Sequence, residues 1–511
     1  MEELAHNILP CALLGLLASV LLFGVIRRVC DSAFVAGRET QFHHHHGSKT
    51  RIPRVGGICI VGGFIAVCLL AGFMHHFGPM ATKRFWVIAG SALAMFTVGI
   101  IDDLRPLGAK RKLVLQIVIA SFAYWLGVQI NQFRNPLSGQ IFSLGAGGYV
   151  VTVVWLVAMT NLINLIDGID GLAGGIGIML MGLLAWAGFS IENGFYSLIC
   201  VGVIGALLGF LRFNFPPAKI YMGDGGAYFL GFLVGLISIE TSHKGTVVAA
   251  LTAPALALAL PILDTTLALL RRAMKGLPLF RPDLEHIHHK LVKRGVTRTR
   301  AVLILYLFSV LSLCIAIGVF MLSGMQLPIF IGLAALVLIV LLRVLNVIPN
   351  FLTLGSVLQR NWNLRWRSRY ILAMSSWLQM EAEQCQTVLE LWNSYTFFQK
   401  KLGLSQVKVS LGGIEKNWES TGHSGALWRR RHQFWIDQEM AIEFFCREGD
   451  LTRPEFDHVS ELAAEAWLKA VTRWEQVHRK KANLAYEEPL PAKKSGLEGV
   501  GPLLTSSIQT T

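Results

Sequence analysis

One short stretch, Asn161-Leu-Ile-Asn-Leu-Ile-Asp-Gly-Ile-Asp-Gly-Leu-Ala-Gly-Gly175, holds a dense set of chemically useful side chains. Asn161, Asn164, Asp167 and Asp170 recur at every third position, so on a helix they shift slowly around one face. The glycines let the backbone approach a ligand closely. Because carboxylates at a bilayer edge are costly, the stretch predicts a reactive site. The alternative is a set of polar contacts between helices.

Two further clusters place carboxylates beside basic or glycine-rich segments. Asp102-Asp103 precedes the basic run Lys110-Arg111-Lys112, a combination that suits Mg²⁺ and phosphate, although an ordinary charged turn also fits the acid pair. Tyr221-Met-Gly-Asp-Gly-Gly226 places Asp224 at a helix start. There the carboxylate either brings a divalent cation to the helix amides or simply caps the helix.

Two basic loops complete the candidate set. The segment Phe280–Lys290 contains Arg281, His286, His288 and His289, and Asp264 lies in the apolar run before it. A metal site is one interpretation of the histidines; we prefer contacts to phosphate and sugar, because the loop is strongly basic and shows no third soft ligand. A plain basic loop is the alternative. Arg54 ends an earlier loop with four consecutive histidines, read either as phosphate-handling or as simply solvated.

The composition is that of a membrane protein. The chain has 511 residues, of which 53% are hydrophobic and 15% charged, well below the share of about 25% charged residues in soluble domains. The net charge of +14 is therefore interpreted as the sign of one membrane face, with no nucleic-acid partner. The eight cysteines show no Cys-x-x-Cys spacing, so we predict neither a disulfide framework nor structural zinc.

Apolar segments predict an all-α polytopic membrane protein with about 11 transmembrane helices. Loops assigned to the inside before the last helix hold 21 Lys and Arg residues, against 4 in the outside loops, which satisfies the positive-inside rule. Every polar cluster then lies on the cytoplasmic side. The predicted helices cover residues 8–26, 57–74, 86–101, 113–130, 149–166, 172–189, 195–211, 226–240, 247–270, 301–322 and 327–345.

The composition changes after the last apolar segment. We predict a transmembrane domain over 1–348, a small cytoplasmic α+β domain over 360–486 and a disordered tail over 487–511. Alternating patterns predict strands at Val407–Leu411 and His432–Ile436.

Amphipathic patterns predict helices over Met380–Trp392 and Glu461–Arg473. Arginines interleaved with tryptophans near the start of the domain suit a juxtamembrane anchor on anionic lipid. These are Trp362, Arg365, Trp366, Arg367 and Arg369.

Carboxylates, amides, lysine and histidines gathered at one membrane face favour phosphoryl transfer involving a lipid. A Mg²⁺ site needs only one or two carboxylates plus substrate phosphates, and the lipid headgroup would lie at the interface within reach. A transporter is the alternative, but carriers usually place ionisable residues near the midplane and contain repeats, and no internal repeat is found.

Four motifs occur in the order found in polyprenyl-phosphate N-acetylhexosamine-1-phosphate transferases, and the resemblance covers roughly residues 8–345. These motifs are Asp102-Asp103, Asn-x-x-Asn-x-x-Asp-Gly-x-Asp-Gly, Tyr221-Met-Gly-Asp-Gly and His286-Ile-His-His289. The resemblance implies transfer of N-acetylhexosamine-1-phosphate from a UDP-sugar to undecaprenyl phosphate, giving a polyprenyl-diphospho-sugar and UMP. It also implies Mg²⁺, with Mn²⁺ as a substitute.

The resemblance assigns roles by motif position. Asp224 and Asn164 resemble the metal ligands, and Lys112 the lysine on the diphosphate. Asp170 and Tyr221 resemble contacts to uracil, and Asp102 with Asp103 the pair that handles the acceptor phosphate or supports the cation. Asp167 resembles either a structural or a catalytic residue. The remaining expected substrate contacts are Asn161, Asp264, Arg54 and Arg281, with His286, His288 and His289 on the diphosphate and sugar.

The His-x-His-His form, preceded by Arg281-Pro-Asp283, is more similar to the UDP-GlcNAc branch than to the branch using UDP-MurNAc-pentapeptide, which is the alternative. Residues 43–46 depart from the family's Lys-x-His-like pattern, and the tail beyond 350 matches no recognised family. The resemblance implies a multi-pass protein of the bacterial plasma (inner) membrane that initiates a cell-envelope glycan such as a cell-wall polymer or O-antigen. Expected partners are both substrates, membrane lipid, a second copy in a homodimer, and a protein bound by the carboxyl-terminal domain.

Overall fold

A computed structural model describes most of the chain, and within it Cα positions cluster into two compact units, 1–362 and 363–511. The described residues are 2–31, 52–73, 79–134, 140–190, 194–241, 254–255, 258–278, 295–321, 332, 351–411, 414–420, 427–436 and 438–487.

The first unit is a bundle of helices. A short antiparallel hairpin between α4 and α5, with strands β1 (Gln132–Arg134) and β2 (Ile141–Ser143), was not expected from the sequence. The described helices are α1 (Glu2–Asp31), α2 (Gly56–Phe73), α3 (Pro79–Leu104), α4 (Ala109–Trp125), α5 (Gly147–Ile166), α6 (Leu172–Ser190), α7 (Gly194–Asn214), α8 (Gly223–Glu240), α9 (Ala259–Lys275) and α10 (Arg298–Met321).

Among the described residues, 6 helices are long and apolar enough to cross a membrane: α1, α3, α5, α6, α7 and α10. The apolar part of α2, Gly56–Leu70, is shorter. The predicted total of about 11 spans is not confirmed. The predicted segment 327–345 lies outside the described residues except for position 332, and the predicted segment 247–270 is described only in part, with α9 beginning at Ala259.

Helix α8 lies at the centre of the bundle, in contact with α2, α3 and α5. Every residue of α8 except Asp224 is buried. An apolar helix enclosed on all sides needs no polar face, and its single accessible side chain is therefore conspicuous. The fold places that side chain, Asp224, at the amino-terminal end of the central helix.

At the opposite end of α8, Glu240 is buried and holds two partners. Arg84 of α3 donates to Glu240 Oε2 at 2.6 Å, and the Tyr196 hydroxyl of α7 donates to the same oxygen at 2.6 Å. A buried carboxylate needs such partners because its isolated charge is costly to desolvate. The contact fixes α3, α7 and α8 at this end.

The second unit is α+β. The predicted strands at Val407–Leu411 and His432–Ile436 are confirmed within β3 and β5, and the helix over Glu461–Arg473 lies within α13. Four antiparallel strands form a sheet in the order β4-β3-β6-β5. The elements are α11 (Phe351–Gln384), α12 (Val388–Lys401), β3 (Gln406–Leu411), β4 (Ile414–Glu419), β5 (Leu427–Ile436), β6 (Gln438–Arg447) and α13 (Arg453–Glu487).

The single helix predicted over Met380–Trp392 is wrong. The chain leaves the helix after Gln384 and α12 starts at Val388. Thr387 caps α12 by accepting a hydrogen bond from the Glu390 amide, while Glu390 Oε2 accepts one from the Gln386 amide. These two hydrogen bonds, which resemble a capping box shifted by one residue, stabilise a new helix start and outweigh the continuous amphipathic pattern.

His432 should make the second unit sensitive to acid. Burial, with Arg430 nearby, lowers the pKa of His432 to about 4 from 6.5, against the opposing effect of Asp457. Between these values the unfolded chain binds a proton that the folded unit does not, so stability falls as pH decreases from 6.5 towards 4. We expect His432→Gln to recover on the order of 1–3 kcal/mol near pH 4.

Denaturant unfolding of this unit, followed by fluorescence at pH 7.5 and at pH 4.5, measures the effect. The two proteins should differ little at pH 7.5, which is the internal control. At that pH His432 of the parent protein is neutral in both the folded and the unfolded chain. Identical losses of stability on acidification would contradict the assignment.

Candidate active site

Four helix ends bring the predicted polar residues together at one end of the first unit. Asp102 and Asp103 end α3, Lys112 lies in the first turn of α4, and Asp224 lies in the first turn of α8. The connection from α5 to α6 supplies Asp167 and Asp170. Antiparallel packing of apolar helices leaves their polar ends as the only places where these groups can meet.

Lys112 bridges two carboxylates. Its ammonium contacts Asp102 Oδ2 closely and lies 3.1 Å from Asp224 Oδ2. The Asp102 side chain is 4% exposed and also accepts a hydrogen bond from the Leu107 amide at 2.9 Å, whereas that of Asp224 is 27% exposed. Asp102 is thus held from several sides, and Asp224 presents the accessible carboxylate of the pair.

Asp103 caps the central helix from another helix. Its Oδ1 accepts from the Asp224 amide at 3.0 Å and its Oδ2 from the Gly225 amide at 2.9 Å. Gly223 adopts φ of +75°, which turns the chain into the helix. The first helical amides are therefore occupied by a protein carboxylate, and Asp224 is not itself the cap.

The contact between α3 and α8 is close enough to require glycine. A Cβ on Gly99 would lie 2.5 Å from the Asp224 carbonyl oxygen and 2.5 Å from the Gly225 nitrogen. A Cβ on Gly90 of the same helix would meet no atom within 4 Å. The close approach at Gly99 brings the end of α3, with Asp102 and Asp103, against the start of α8.

The loop before α2 lies beside the Tyr221 segment. Amides of Gly56 and Gly57 donate to the carbonyls of Tyr221 and Met222, each at 2.8 Å, and the Tyr221 amide donates to Pro53 at 2.9 Å. Arg54 lies within this pairing, and its charge acts on Asp103, Asp167 and Tyr221. The structure therefore places Arg54 and Tyr221 at the same helix ends as the carboxylates.

Asp167 lies in an acidic environment. Burial, followed by the Asp224 and Asp103 carboxylates, raises the pKa of Asp167 well above its usual value, opposed by Arg54. Burial, followed by the Asp170 carboxylate, raises the pKa of Tyr221. A cluster with more acids than nearby cations is suited to attract a further positive charge.

Asn161 and Asn164 have different surroundings on α5. Asn161 donates to Gln116 Oε1 of α4 at 2.7 Å and to the Val157 carbonyl at 2.7 Å, which makes it a bridge between helices. Asn164 lies one turn nearer Asp167, is partly exposed, and has no hydrogen-bonded side-chain partner among the described residues. Its amide is therefore available to a ligand.

Asp170 holds the loop that follows α7. Its Oδ2 accepts a hydrogen bond from the Ala218 amide at 3.1 Å, and the side chain is 8% exposed. The loop runs on to Tyr221. Asp170 therefore positions the tyrosine segment through the backbone.

Asn214 is a buried residue beside the site that the sequence analysis missed. Its side chain accepts from the Gly171 amide at 2.9 Å and donates to the Ile220 carbonyl at 2.7 Å. The Tyr306 hydroxyl of α10 donates to the Gly171 carbonyl at 2.6 Å. The signal in the sequence was an amide at the end of the apolar segment of α7, which nothing distinguished from an ordinary helix end.

Replacing Asn214 by leucine should loosen the loops that carry Asp170 and Tyr221. Two buried backbone groups lose their partners, each at a cost of about 1–3 kcal/mol. We expect a lower melting temperature in detergent and a raised KM for the UDP-sugar that the resemblance implies. Asn131→Leu, an exposed amide in the loop between α4 and β1, is the control and should change neither quantity. An unchanged melting temperature for Asn214→Leu would contradict the assignment.

The remaining predicted residues are placed less fully. Asp264 is partly buried on α9, which packs against α5 and α10. Arg281, His286, His288 and His289 lie outside the described residues, as do the four consecutive histidines at 43–46. The site assembled from the described part of the chain therefore consists of the α3, α4 and α8 ends with the two loops around Asp167 and Tyr221.

The end of α7 and the loop that follows it, from Leu208 to Lys219, line an open groove of about 570 Å³. Its lining is mainly apolar, with Arg212 and Lys219 as cations, and neither forms an ion pair within the described residues. Phe215 and Pro216, also in the lining, pack against Gly171. The groove thus adjoins the loop that contains Asp167 and Asp170.

The fold and site define a class: a helical membrane protein with a cation-bridged carboxylate site at one end of its bundle. Residues 85–242 match the family model "Glycosyl transferase family 4". The chain is 31% identical over 307 residues to a "Probable undecaprenyl-phosphate N-acetylglucosaminyl 1-phosphate transferase" from Bacillus subtilis (strain 168), covering 60% of this chain and 83% of that protein.

Two further relatives have similar names. A "Decaprenyl-phosphate N-acetylglucosaminephosphotransferase" from Mycolicibacterium smegmatis is 32% identical over 330 residues, 58% of this chain and 79% of the relative. An "Undecaprenyl-phosphate alpha-N-acetylglucosaminyl 1-phosphate transferase" from Escherichia coli O157:H7 is 28% identical over 312 residues, which cover 58% of this chain and 80% of that protein. The chain belongs to this family of polyprenyl-phosphate N-acetylglucosaminyl-1-phosphate transferases, and the resemblance stated from the sequence is confirmed.

Proposed function

We propose that the protein transfers GlcNAc-1-phosphate from UDP-GlcNAc to undecaprenyl phosphate, which initiates a cell-envelope glycan. A phosphate oxygen of the lipid attacks the β-phosphorus of UDP-GlcNAc, and the bond from that phosphorus to the bridging oxygen breaks. The products are undecaprenyl-diphospho-GlcNAc and UMP. The observation that carries the proposal is the Lys112 ammonium held between Asp102 and the accessible Asp224, in a chain of this family.

The residues of the chain perform this reaction mainly by positioning and charge. The acceptor phosphate is already largely dianionic at neutral pH, so a strong general base is not required. Phosphoryl transfer spreads negative charge over the transferred group, and fixed cations stabilise it. Lys112 supplies one cation, and Arg54 supplies a second beside Asp167.

Mg²⁺ fits the donor set of this site. The Asp102 and Asp224 carboxylates converge on one ammonium, and the Asn164 amide has no hydrogen-bonded partner among the described residues. Mg²⁺ is usually bound by one or two carboxylates plus substrate phosphates. Asp224 and Asn164 would hold the ion, which when bound would neutralise the diphosphate.

The nucleotide and the orientation follow from the same helix ends. Tyr221 stacks on uracil, and Asp170 fixes the Tyr221 loop. The described cations Arg54, Lys112, Arg212 and Lys219 gather at this end, so we place it in the cytoplasm. We also propose that the carboxyl-terminal unit lies in the cytoplasm and binds a protein partner, and that the protein forms a homodimer.

UMP release by purified protein with undecaprenyl phosphate tests the proposal. The panel contains UDP-GlcNAc, UDP-GalNAc and UDP-MurNAc-pentapeptide, each with and without Mg²⁺. We expect release with UDP-GlcNAc that depends on Mg²⁺ and on the lipid. Release only with the pentapeptide would favour the alternative activity. No release with any sugar, from protein that remains folded, would overturn the assignment.

The groove beside Arg212 offers the acceptor a route. Its apolar wall suits a prenyl chain, and Arg212 suits the phosphate. Arg212→Glu should raise the KM for undecaprenyl phosphate by about tenfold with little change in the KM for UDP-GlcNAc, an effect of about 1.4 kcal/mol. Arg300→Glu, an exposed arginine of α10, is the control and should leave both values unchanged. A rise in the nucleotide KM alone would contradict this route.

A further inference from the structure

The second unit concentrates its exposed apolar side chains on two helices. Among the side chains of 363–511 that the structure describes, six of the seven large hydrophobic ones that are strongly exposed belong to α11 or α12, and the seventh is Leu427 of β5. The six are Trp366, Tyr370, Met380, Val388, Leu389 and Phe397, exposed by 73%, 47%, 60%, 51%, 56% and 48%. We call the surface that contains Trp366, Tyr370, Met380 and Phe397 the α11–α12 face.

The face is a consequence of how α11 packs. Leu364, Ile371 and Leu378 are buried on one side of the helix, and the Ser368 hydroxyl bonds to the His458 ring of α13 at 2.8 Å. Trp366 and Tyr370 are one turn apart on the other side. Helix α11 is therefore apolar on both sides, with aliphatic residues towards the core and aromatic residues on the side that faces away from it.

Cations accompany the exposed aromatic rings. The Arg369 guanidinium lies 5.9 Å from the centre of the Trp366 ring, and the Lys401 ammonium lies 5.4 Å from that of Phe397. Phe397 in turn meets Trp377 of α11 edge to face at 5.8 Å, which joins the two helices into one surface. Of the nearby acids, Glu383 is paired with Arg473, Glu390 accepts from the Gln386 amide, and Glu381, which follows Met380, is partly buried.

We infer that the α11–α12 face binds the surface of an anionic membrane. Tryptophan and tyrosine prefer the headgroup region, where an apolar ring and a polar edge are both satisfied, and basic side chains are attracted to anionic lipid. A protein-binding surface would fit the aromatic rings equally well. Lipid is favoured because α11 begins at Phe351, close in the chain to the predicted last membrane span at 327–345. The five residues 346–350 between them can extend over at most about 20 Å, so the predicted span would hold α11 near the membrane.

Photocrosslinking of the full chain in lipid nanodiscs tests this inference. The photoreactive residue p-benzoylphenylalanine replaces Trp366 in one protein and Lys416, an exposed residue of β4, in the control. We expect at least about threefold more phospholipid adduct by mass spectrometry at position 366 than at 416. The adduct should also be more abundant in nanodiscs rich in phosphatidylglycerol than in phosphatidylcholine alone.

A charge variant makes the test specific. Arg369→Gln should lower the lipid adduct at position 366 by up to about fivefold, which corresponds to about 1 kcal/mol for one basic residue near an anionic surface. Lys416→Gln removes an exposed cation elsewhere in the unit and should leave the adduct unchanged. Equal adduct at 366 and 416, or no lipid adduct at either, would overturn the inference. In native membranes, a protein adduct at 366 without a lipid adduct would overturn it in favour of a protein partner.

Discussion

Replacing Asp224 by asparagine is expected to reduce kcat by on the order of 10²–10⁴-fold, while the protein still folds. The Asp224 side chain is the accessible carboxylate of the Lys112 cluster and the only exposed group of α8. Asparagine keeps its shape but removes the charge that would hold Mg²⁺ at the diphosphate. Charge stabilisation by a bound metal contributes several kcal/mol, and each 1.36 kcal/mol is tenfold in rate.

The measurement is UMP release at saturating UDP-GlcNAc over a range of Mg²⁺ concentrations. The asparagine variant should also need more Mg²⁺ for half of its residual rate. Glu240→Gln, the same chemical change at the other end of α8, is the matched control; it should lower the melting temperature and largely preserve kcat. Activity of Asp224→Asn within threefold of the parent protein would remove the carboxylate from the proposed mechanism.

Adding one methyl group at Gly99 should cost about 10²-fold in activity, although Gly99 contacts no substrate in the proposed mechanism. Its Cβ would overlap the backbone of Asp224 and Gly225, which cannot turn aside as a side chain would. Either α3 or the start of α8 must shift. A misplacement of about 1 Å can cost 10²-fold in rate, and overpacking typically costs 1–3 kcal/mol of stability.

Gly90→Ala on the same helix is the matched control, because its Cβ meets no atom within 4 Å. Alanine should leave activity unchanged there and add about 0.5–1 kcal/mol of stability. Thermal unfolding in detergent and UMP release measure both variants. If Gly99→Ala matched Gly90→Ala in both measurements, the close contact between α3 and α8 would not position the site.

The sequence predicted the helices and the site neighbourhood for a physical reason. Apolar segments are long and uniform, so the helical bounds of α5, α6 and α8 follow within a few residues. Costly polar groups at segment ends, such as Asp102, Lys112 and Asp224, could be recognised individually. The positive-inside rule then assigned them to one face without any knowledge of helix packing.

Pairing within that neighbourhood could not be predicted. Whether a carboxylate faces a lysine, as Asp102 does, or two helix amides, as Asp103 does, depends on rotations and distances between helices. Asn214 is one amide among many until the loops it joins are seen. The hairpin β1–β2 and the break before α12 likewise depend on local hydrogen bonds that the hydrophobic pattern does not encode.

The two ends of α8 are tied to α3, by Asp103 at the amino terminus and by Arg84 at the carboxyl terminus. Such a double attachment fixes the length of both helices between the two ties. An insertion or deletion of one residue in either helix would rotate one end by about 100° and separate one of the two pairs. We therefore expect α3 and α8 to tolerate no change of length between the two ties, whereas the connecting loops leave both pairs in place when their length changes.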